Sequence, residues 1–311
     1  MIAASPKISI VLATYNGGKF LCEQLQSLIN QTYTNIEIVA VDDGSTDNTI
    51  GILNSYATQY ANFKIYRNQT NLGYVKNFEK GCDLAEGELI ALCDQDDVWD
   101  NDKLKSMAEA IGDDPMVYCD SFICDETLKQ TGKKISSHVN FTTRHSCLEI
   151  SIFCRIYGNA TLFKKSILAA AMPFPLFIPH DWWLSYVASM YGDIKYIDVP
   201  LVYYRQHSTN AVGAIGGKSR KKAGSKRERK QQEINGIRQR MDAFYNLCPA
   251  DKVKEKKVLF NLQKSYRSFS LGNNLLRMVT FFRNYKILLY VKKRPLLRQY
   301  LFCLKMFFMV K

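Results

Sequence analysis

Runs of apolar residues alternate with amphipathic stretches over the first hundred residues of the chain. Four short runs predict strands, at 8–13, 36–41, 63–67 and 89–93, and the first of them is rich in β-branched residues. Stretches with apolar residues at helical spacing separate them, at 20–31, 48–59 and 74–85. This alternation with short connections predicts an α/β fold with a mainly parallel sheet of the doubly wound kind.

Polar clusters follow three of these predicted strands directly. They read TYNGG at 14–18, DDGSTD at 42–47 and DQDD at 94–97. Ligands of such sheets bind outside the carboxyl ends of the strands. The three clusters therefore predict one binding site at this edge of the sheet.

The DQDD cluster carries the densest negative charge of the chain. Asp94, Asp96 and Asp97 lie within four positions, and Asp100 follows closely. Like charges at this spacing raise one another's pKa, so the fold must supply a compensating cation. Carboxylates suit Mg²⁺ or Mn²⁺, which keeps coordination positions open for phosphate oxygens. A solvated acidic loop before a helix that begins near Asp102 is the alternative.

The second half of the chain is less regular. We expect a strand at 116–120, a loop or hairpin at 125–140, a Gly-Asn turn within 155–163, a helix from about 183 to 190 and a strand at 193–203. Residues 213–225 have the composition of a linker.

Charge is distributed unevenly along the 311 residues. Residues 1–217 carry 17 Lys and Arg against 24 Asp and Glu, whereas residues 218–311 carry 25 against 5. The net charge of +13 therefore belongs to the C-terminal part, which indicates two different physical tasks.

Cysteine usage and hydropathy limit the cellular location. The nine cysteines form no CxxC pair, which favours a reducing cytosol with buried thiols. The N-terminus has no basic region before its first strand, so we expect no signal peptide. No run of 18 apolar residues predicts a membrane-spanning helix.

The basic tail begins with a Lys/Arg block at 218–230 and continues with predicted helices at 231–246 and 251–269. Residues 275–311 interleave Leu, Phe, Met and Tyr with Arg and Lys, which suits an amphipathic helix on an anionic bilayer. A helical pair that packs on the catalytic part or on a second subunit is one alternative, and nucleic-acid binding is another.

Six motifs in chain order resemble the family 2 glycosyltransferases of the GT-A fold, particularly the bacterial rhamnosyltransferase-like branch. They read SIVLATYNGGKFLCEQLQSLINQT, VDDGSTDNT, NLGYVKNF, CDQDDVW, HDWW and YRQHSTN. The resemblance covers about residues 7–212, and implies a GT-A domain at 1–212, with a nucleotide half to about 100 and an acceptor half beyond it. Residues 213–311 would form a basic helical extension.

The resemblance implies transfer of a sugar, with inversion, from a nucleotide-diphosphate donor to a saccharide or lipid-linked acceptor. The branch suggests rhamnose from dTDP-rhamnose and synthesis of a surface polysaccharide such as O-antigen or capsule. We therefore expect a cytoplasmic protein, peripheral on the inner membrane through 218–311, that binds Mn²⁺ or Mg²⁺ and no nucleic acid.

The same resemblance assigns donor-binding residues. The base pocket would comprise Ala13, Tyr15 and Asp43, with turn packing as the alternative for Tyr15 and a helix N-cap for Asp43. The flank of the nucleotide would be formed by Asn71, Gly73 and Asn77, with a turn followed by a helix start as the alternative. Around the diphosphate we expect Asp96 at the ribose or the metal, Asp97 as direct metal ligand, Asp94 as an alternative contact, and Trp99 beneath the donor sugar or in the core.

Asp181 is the expected general base, because direct displacement needs a carboxylate near the acceptor hydroxyl. Its apolar surroundings would raise its pKa, and a helix N-cap is the alternative. His180 at the preceding position fits the rhamnosyltransferase-like branch. Gly158 and Asn159 are expected at the acceptor site, with a plain turn as the alternative. Trp182 and Trp183 are expected on a sugar face, with core packing of one of them as the alternative. Arg205 and His207 are expected at the diphosphate, the donor sugar or the metal, with a structural role as the alternative for His207.

Two other function classes remain open from the residues alone. A nucleotidyltransferase also uses acidic metal ligands on such a sheet, but TYNGGK is a thin match to its phosphate loop. A nucleic-acid-binding module would rest on the tail alone. A degenerate, non-catalytic relative is the remaining alternative, although all the carboxylates are present.

Overall fold

A computed structural model describes residues 5–207 and 225–308 of the chain. Residues 8–93 contain strands β1–β4 and helices α1–α3, and confirm the predicted alternation. Their bounds are β1 Ile8–Thr14, α1 Leu21–Ile29, β2 Ile36–Asp42, α2 Thr49–Ala57, β3 Phe63–Arg67, α3 Tyr74–Leu84 and β4 Leu89–Cys93.

The second half adds five strands and four helices before residue 207, two of the helices being single turns. Their bounds are β5 Val98–Trp99, α4 Lys103–Ile111, β6 Met116–Cys124, β7 Gln130–Lys134, α5 Leu148–Ser151, β8 Thr161–Lys164, α6 Leu168–Ala171, α7 His180–Tyr191 and β9 Ile194–Arg205. The predicted hairpin at 125–140 is the β6–β7 pair, and the Gly-Asn turn is a 3₁₀ turn at Gly158–Ala160.

The strands of the described residues form one sheet in the order β3-β2-β1-β4-β8-β6-β9-β5, with β7 paired to β6. Strands β1 to β4 are parallel to one another, as predicted. Strand β8 is antiparallel to both β4 and β6, so the sheet is mixed in its second half. The sequence did not predict this reversal, because the regular strand–helix alternation ends after β4.

Two apolar cores lie on the two faces of the sheet. Ile10 and Leu12 of β1 pack towards α1, α2 and α4, whereas Val11 packs towards α3 and α7, because successive residues of a strand point to opposite faces. Helix α3 lies close to β1, since a Cβ added at Gly81 would come within 2.3 Å of the Val11 side chain.

The C-terminal part contains helices α8 Lys226–Leu247, α9 Val253–Arg267, α10 Leu271–Leu288 and α11 Leu296–Phe308. The amphipathic helix predicted at 275–311 is therefore two helices, and Pro295 lies just before the second. Residues 208–224, with the predicted boundary at 212, most of the linker and much of the Lys/Arg block, lie outside the described residues.

These four helices pack against the first 207 residues, which was one of the alternatives for the tail. Phe244 of α8 stacks on Tyr186 of α7 at 3.6 Å between ring centroids and accepts a hydrogen bond from its hydroxyl at 2.8 Å. The amide of Asn140 donates to the carbonyl of Val291 at 3.0 Å. In the described ranges, no helix is long and apolar enough to cross a bilayer.

Candidate active site

The site lies where β1, β2 and β4 end at one edge of the sheet. Parallel pairing puts Thr14 opposite Asp42 and Leu12 opposite Cys93, so the three polar clusters that follow lie side by side. The end of β9 and the start of α7 supply the remaining groups.

The candidate base pocket is formed by the loop after β1. Tyr15 is half-exposed, and its backbone amide donates to the Gln95 side chain at 2.8 Å, while the Gln95 amide donates back to the Tyr15 carbonyl at 3.1 Å. This pair of hydrogen bonds joins the TYNGG loop to the DQDD loop. The Tyr15 ring is thus available on a backbone that is held in place, beside half-buried Ala13.

Asp43 is buried and organises the loop before α3. Its carboxylate accepts bonds from the amides of Leu72 and Gly73, at 2.8 and 2.9 Å, and from the Asn68 side chain at 2.8 Å. Asp43 is therefore not the simple N-cap that was its alternative. Asn71 is exposed on the same loop, and its side chain accepts a bond from Gly73.

Asn77 has a structural role that differs from the expected one. Its side chain is buried and donates to the carbonyl of Val41 at 2.8 Å. Its oxygen accepts from Asn68. The prediction of a nucleotide contact at Asn77 is therefore corrected, because both ends of this amide bind the protein.

The three carboxylates of the DQDD cluster lie in different environments. The Asp96 carboxylate is 2.8 Å from His207 Nε2, which comes from the segment after β9, 111 residues away. The His207 ring also packs on Phe20, at 4.8 Å between centroids. Asp96 and His207 thus form a carboxylate–imidazole pair at the edge of the sheet.

Asp97 is fully buried instead. One oxygen accepts from the Arg205 amide at 2.9 Å, and the other accepts from the Asn159 side chain. Burial and the charges of Asp96 and Asp94 raise its pKa well above the usual range. Each oxygen of Asp97 thus accepts a hydrogen bond inside the protein. Direct metal ligation by Asp97 and the acceptor contact expected of Asn159 stay predictions.

Asp94, the first carboxylate of the DQDD cluster, is half-buried. Burial, followed by the charges of Asp96 and Asp181, raises its pKa to about 7. Two carboxylates from distant parts of the chain, Asp94 and Asp181, therefore lie within electrostatic range of each other.

A metal ion fits part of this donor set. Among the residues that the structure describes, no three His, Cys, Asp or Glu side chains group together as a metal site. Asp96 and His207 offer two ligands of the kinds that Mn²⁺ accepts, and an ion held by two protein ligands keeps positions for phosphate oxygens.

Arg205 joins the loops around this pair. Its Nε donates to the Asp96 carbonyl at 2.7 Å, one terminal nitrogen donates to the Glu126 carbonyl at 2.6 Å, and the other is paired with Glu23. The guanidinium also lies 4.5 Å over the Phe20 ring. The expected donor contact of Arg205 is corrected, because these bonds turn the guanidinium towards the protein.

Asp181 lies in the first turn of α7, directly after Pro179 and His180. Its side chain accepts a hydrogen bond from the Trp182 amide at 2.7 Å, but Pro179 holds the N-cap position, so Asp181 is not the N-cap that was its alternative. Burial raises the pKa of Asp181 to about 6. A carboxyl group with this pKa is ionised at neutral pH and remains basic enough to accept a proton.

His180 and Gly158 shape the surroundings of Asp181. His180 stacks on Phe78 at 4.0 Å between centroids, and burial lowers its pKa to about 3, so the imidazole is neutral. A Cβ at Gly158 would come within 3.1 Å of His180 Nε2 and 3.6 Å of Asp181 Cβ. Gly158 thus keeps the wall beside Asp181 open.

The packing of the three tryptophans agrees with the core position that was the alternative for Trp99 and for one of Trp182 and Trp183. Trp99 and Trp183 are buried in the core. Trp182 donates to the Ile150 carbonyl, and Arg240 of α8 covers its ring at 4.3 Å. The sequence could not predict this cover, since it comes from a helix nearly sixty residues away.

Sequence reasoning missed two residues of the site. Gln95 was passed over, although its place inside the acidic cluster was a signal. Lys103 was missed as well. It is fully buried with its ammonium 3.0 Å from the centroid of Trp99, burial lowers its pKa to about 8, and its charge acts on Asp94 and Asp97. Lys103 is a cation that the acidic cluster was expected to need.

Comparison with known proteins identifies the family. The family model for glycosyl transferase family 2 matches residues 9–169. The chain is 32% identical over 223 residues to the putative glycosyltransferase EpsH of Bacillus subtilis, which covers 67% of this chain and 63% of that protein. It is 32% identical over 213 residues to the dTDP-rhamnosyl transferase RfbG of Shigella flexneri, covering 65% and 74%. The chain thus spans less than two thirds of the length of the first curated relatives it matches.

Solved structures share the fold. TarS of S. aureus in complex with UDP-GlcNAc superposes with a TM-score of 0.62 at 20% identity, covering 97% of this chain and 80% of that one. A mannosyltransferase of Pyrobaculum calidifontis in complex with GDP-Man and Mn²⁺ has a TM-score of 0.51 at 15% identity, covering 99% and 82%. The GT-A architecture expected from the motifs is confirmed.

Proposed function

The chain belongs to glycosyl transferase family 2 and is a glycosyltransferase, and from this premise we propose that it inverts the sugar that it transfers. The donor is a nucleotide-diphosphate sugar, and the acceptor is a saccharide or a lipid-linked saccharide. One observation carries the proposal: Asp181, with its pKa raised to about 6, lies within electrostatic range of the acidic cluster at the ends of the strands.

In this proposal the donor nucleotide lies along the loops after β1 and β2. Tyr15 covers the base beside Ala13, while Asp43 and Asn71 bound the pocket on the side of α3. The half-exposed Tyr15 ring and its bonded backbone support this arrangement, because a held aromatic face stacks on a base at little cost in entropy.

Asp96 and His207 are the residues that would hold Mn²⁺ or Mg²⁺. The ion would neutralise the diphosphate and stabilise it as the leaving group. Arg205 keeps this pair in position through its bond to the Asp96 carbonyl. The buried Asp97 and Lys103 stabilise the loop of residues 94–97 from the protein interior and make no contact with the donor.

Asp181 takes the proton from the acceptor hydroxyl as that oxygen forms its bond to the anomeric carbon. The bond from this carbon to the diphosphate breaks on the opposite face, and the electron pair leaves with the nucleoside diphosphate. A single displacement of this kind inverts the anomeric carbon. The neutral His180 beside Asp181 leaves the carboxylate as the local base.

We propose rhamnose as the sugar and dTDP-rhamnose as the donor, in the synthesis of a surface polysaccharide such as O-antigen or capsule. The similarity to a dTDP-rhamnosyl transferase supports this choice. The division into a catalytic part at 1–212 and a helical extension at 213–311, on the cytoplasmic face of the inner membrane, is part of the same proposal.

The Asp181→Asn variant tests the assignment. We expect it to bind donor with the affinity of the parent and to lose turnover by about 10²–10⁴-fold, the usual range for a general base. Donor affinity is measured by calorimetry with Mn²⁺, and turnover by release of nucleoside diphosphate in the presence of acceptor. Turnover at the parent rate would overturn the assignment of Asp181.

A further inference from the structure

The outward face of α11 is apolar. Leu297, Leu301, Leu304 and Phe308 are 69%, 54%, 45% and 70% exposed. Their spacing of four, three and four residues puts them on one stripe of the helix. Surface helices usually carry polar residues on the face opposite the core, so this stripe is unusual for a helix in water.

The opposite face of α11 is packed, which fixes the direction of the stripe. Cys303 and Met306 are buried, and Phe302 packs against Phe281 of α10 at 6.0 Å between centroids. Arg277 of α10 is buried and donates to the Met306 carbonyl at 2.9 Å. Helix α11 is therefore apolar on both sides, and its packed side is already occupied.

The hairpin of α10 and α11 is anchored to the catalytic part. The bond from Asn140 to Val291 and the pair formed by Lys292 and the Phe153 ring, at 3.6 Å, hold the turn between the two helices. The stripe thus has a fixed orientation relative to the site at the strand ends.

The charge of the hairpin has one sign. Residues 271–308 contain no Asp or Glu. Five of their Lys and Arg side chains are exposed: Arg283, Lys286, Lys293, Arg298 and Lys305. Arg298 and Lys305 both lie on the same flank of the apolar stripe, since they are seven residues apart.

We propose that this face of α11 docks in the plane of an anionic bilayer, with its leucines and Phe308 at the boundary between headgroups and acyl chains. An apolar face flanked by cations is the pattern of interfacial helices. Thirteen residues span about 20 Å, which is too short to cross the bilayer. The inference deepens the proposed membrane association, and it rests on that proposal for the location of the acceptor.

Two other occupants fit the face less well. In a two-fold dimer the same surface meets itself, so the flanking cations of both copies would face each other without an acidic residue on either hairpin. Nucleic acid would pair with the cations but would leave three exposed leucines and a phenylalanine without apolar cover.

The test is sedimentation of the full-length protein with vesicles of phosphatidylcholine alone or with 30 mol% phosphatidylglycerol (a probe composition of roughly bacterial charge). We expect binding to the anionic vesicles only. The double variant Leu301→Glu with Leu304→Glu removes the stripe, and Val253→Glu is its control, because Val253 is equally exposed on α9. The double variant should weaken binding at least about tenfold, and the control should not.

A second pair of variants tests the cations. Arg298→Glu with Lys305→Glu should weaken binding to anionic vesicles by roughly fivefold or more per residue. Lys254→Glu with Lys257→Glu changes the net charge equally on α9 and should have a much smaller effect. Melting temperatures and donor-induced thermal shifts of all variants should match the parent, which shows that they are folded.

Three results would overturn the inference. These are no binding of the parent to anionic vesicles, parent-like binding of the leucine variant, or a parent dimer that the leucine variant dissociates in the absence of lipid. Donor binding is measured separately in the same preparations. Loss of vesicle binding with intact donor binding refutes the docking face alone, whereas vesicle binding without any donor response refutes the proposed function.

Discussion

Replacing Asp181 with Asn should stabilise the protein at neutral pH while it removes catalysis. The ionised carboxylate is held in a partly desolvated site, as its pKa of about 6 indicates. Asn carries no charge and keeps an oxygen that accepts the hydrogen bond from the Trp182 amide, so this bond remains and the desolvation penalty disappears.

The magnitude follows from the shift in pKa. Moving this pKa from 3.8 to about 6 corresponds to about 3 kcal/mol of free energy against the ionised form. Solvent access to the carboxylate reduces this figure, so a gain of about 1–3 kcal/mol in unfolding free energy is expected at pH 8. This corresponds to a rise of roughly 2–6 °C in melting temperature.

The sign of the pH dependence is fixed. A carboxyl group with a raised pKa contributes stability that is fully present below pH 3.8 and is lost as pH rises through about 6. The parent and the Asn variant should therefore have similar stability near pH 4, and the variant should gain between pH 4 and pH 7. Urea unfolding at pH 4, 5, 6, 7 and 8 measures this difference directly.

The control is Asp113→Asn, which removes an exposed carboxylate from the turn after α4 and should show no such pH-dependent gain. A constant difference between parent and Asp181→Asn across this pH range would refute the reasoning that desolvation raises the Asp181 pKa. A stabilised variant with unchanged turnover would refute its role as the base while leaving the electrostatic argument intact.

Three further predictions concern the surroundings of the site. His207→Ala should raise the Mn²⁺ concentration needed for donor binding by at least about tenfold, measured by calorimetry, because one proposed ligand is lost. Asn159→Ala should lower the unfolding free energy by about 1–3 kcal/mol in urea titrations, since it leaves a buried oxygen of Asp97 without its donor. Gly158→Ala should lower kcat/KM although it changes the melting temperature only slightly, because its Cβ would lie 3.1 Å from His180 and crowd the acceptor side.

The His207 prediction has a control, and all three predictions have a contrary outcome. His145→Ala removes an exposed histidine that pairs with Asp193 and not with the DQDD cluster, and it should leave the Mn²⁺ response unchanged. Parent-like Mn²⁺ dependence of the His207 variant, parent-like stability of the Asn159 variant, or full activity of the Gly158 variant would each contradict the geometry on which it rests.

The strands and helices of residues 8–93 were predictable because local sequence signals determine where each of them begins and ends. Strand β4, for example, is a short apolar run between turn signals, and its predicted and observed bounds coincide. The reversal at β8 was not predictable, because antiparallel pairing with β4 depends on where the chain returns over a long distance. The hairpin of α10 and α11 is the helical pair that was the alternative to one amphipathic helix, and Pro295 is a signal for the break between them.

The sequence predicted which types of residue form the candidate site. It predicted the role of each of these residues less well. Asp96 and Asp97 are adjacent, and only the fold decides which of them faces the edge of the sheet. The partner of Asp97 is Asn159, 62 residues away, and that of Asp96 is His207, 111 residues away. Sequence spacing carries no information on such pairs, so it does not decide which of the two carboxylates binds a metal.

The measurement that tests the central claim most directly is a thermal-shift screen of the purified protein against nucleoside diphosphates and nucleotide-sugars, with Mn²⁺ or with EDTA. The account predicts stabilisation by one nucleotide-sugar, dTDP-rhamnose on the present proposal, only with the metal, and loss of that response in His207→Ala. Stabilisation by no nucleotide-sugar, or equal stabilisation in EDTA, would contradict a metal-dependent donor site at Asp96 and His207.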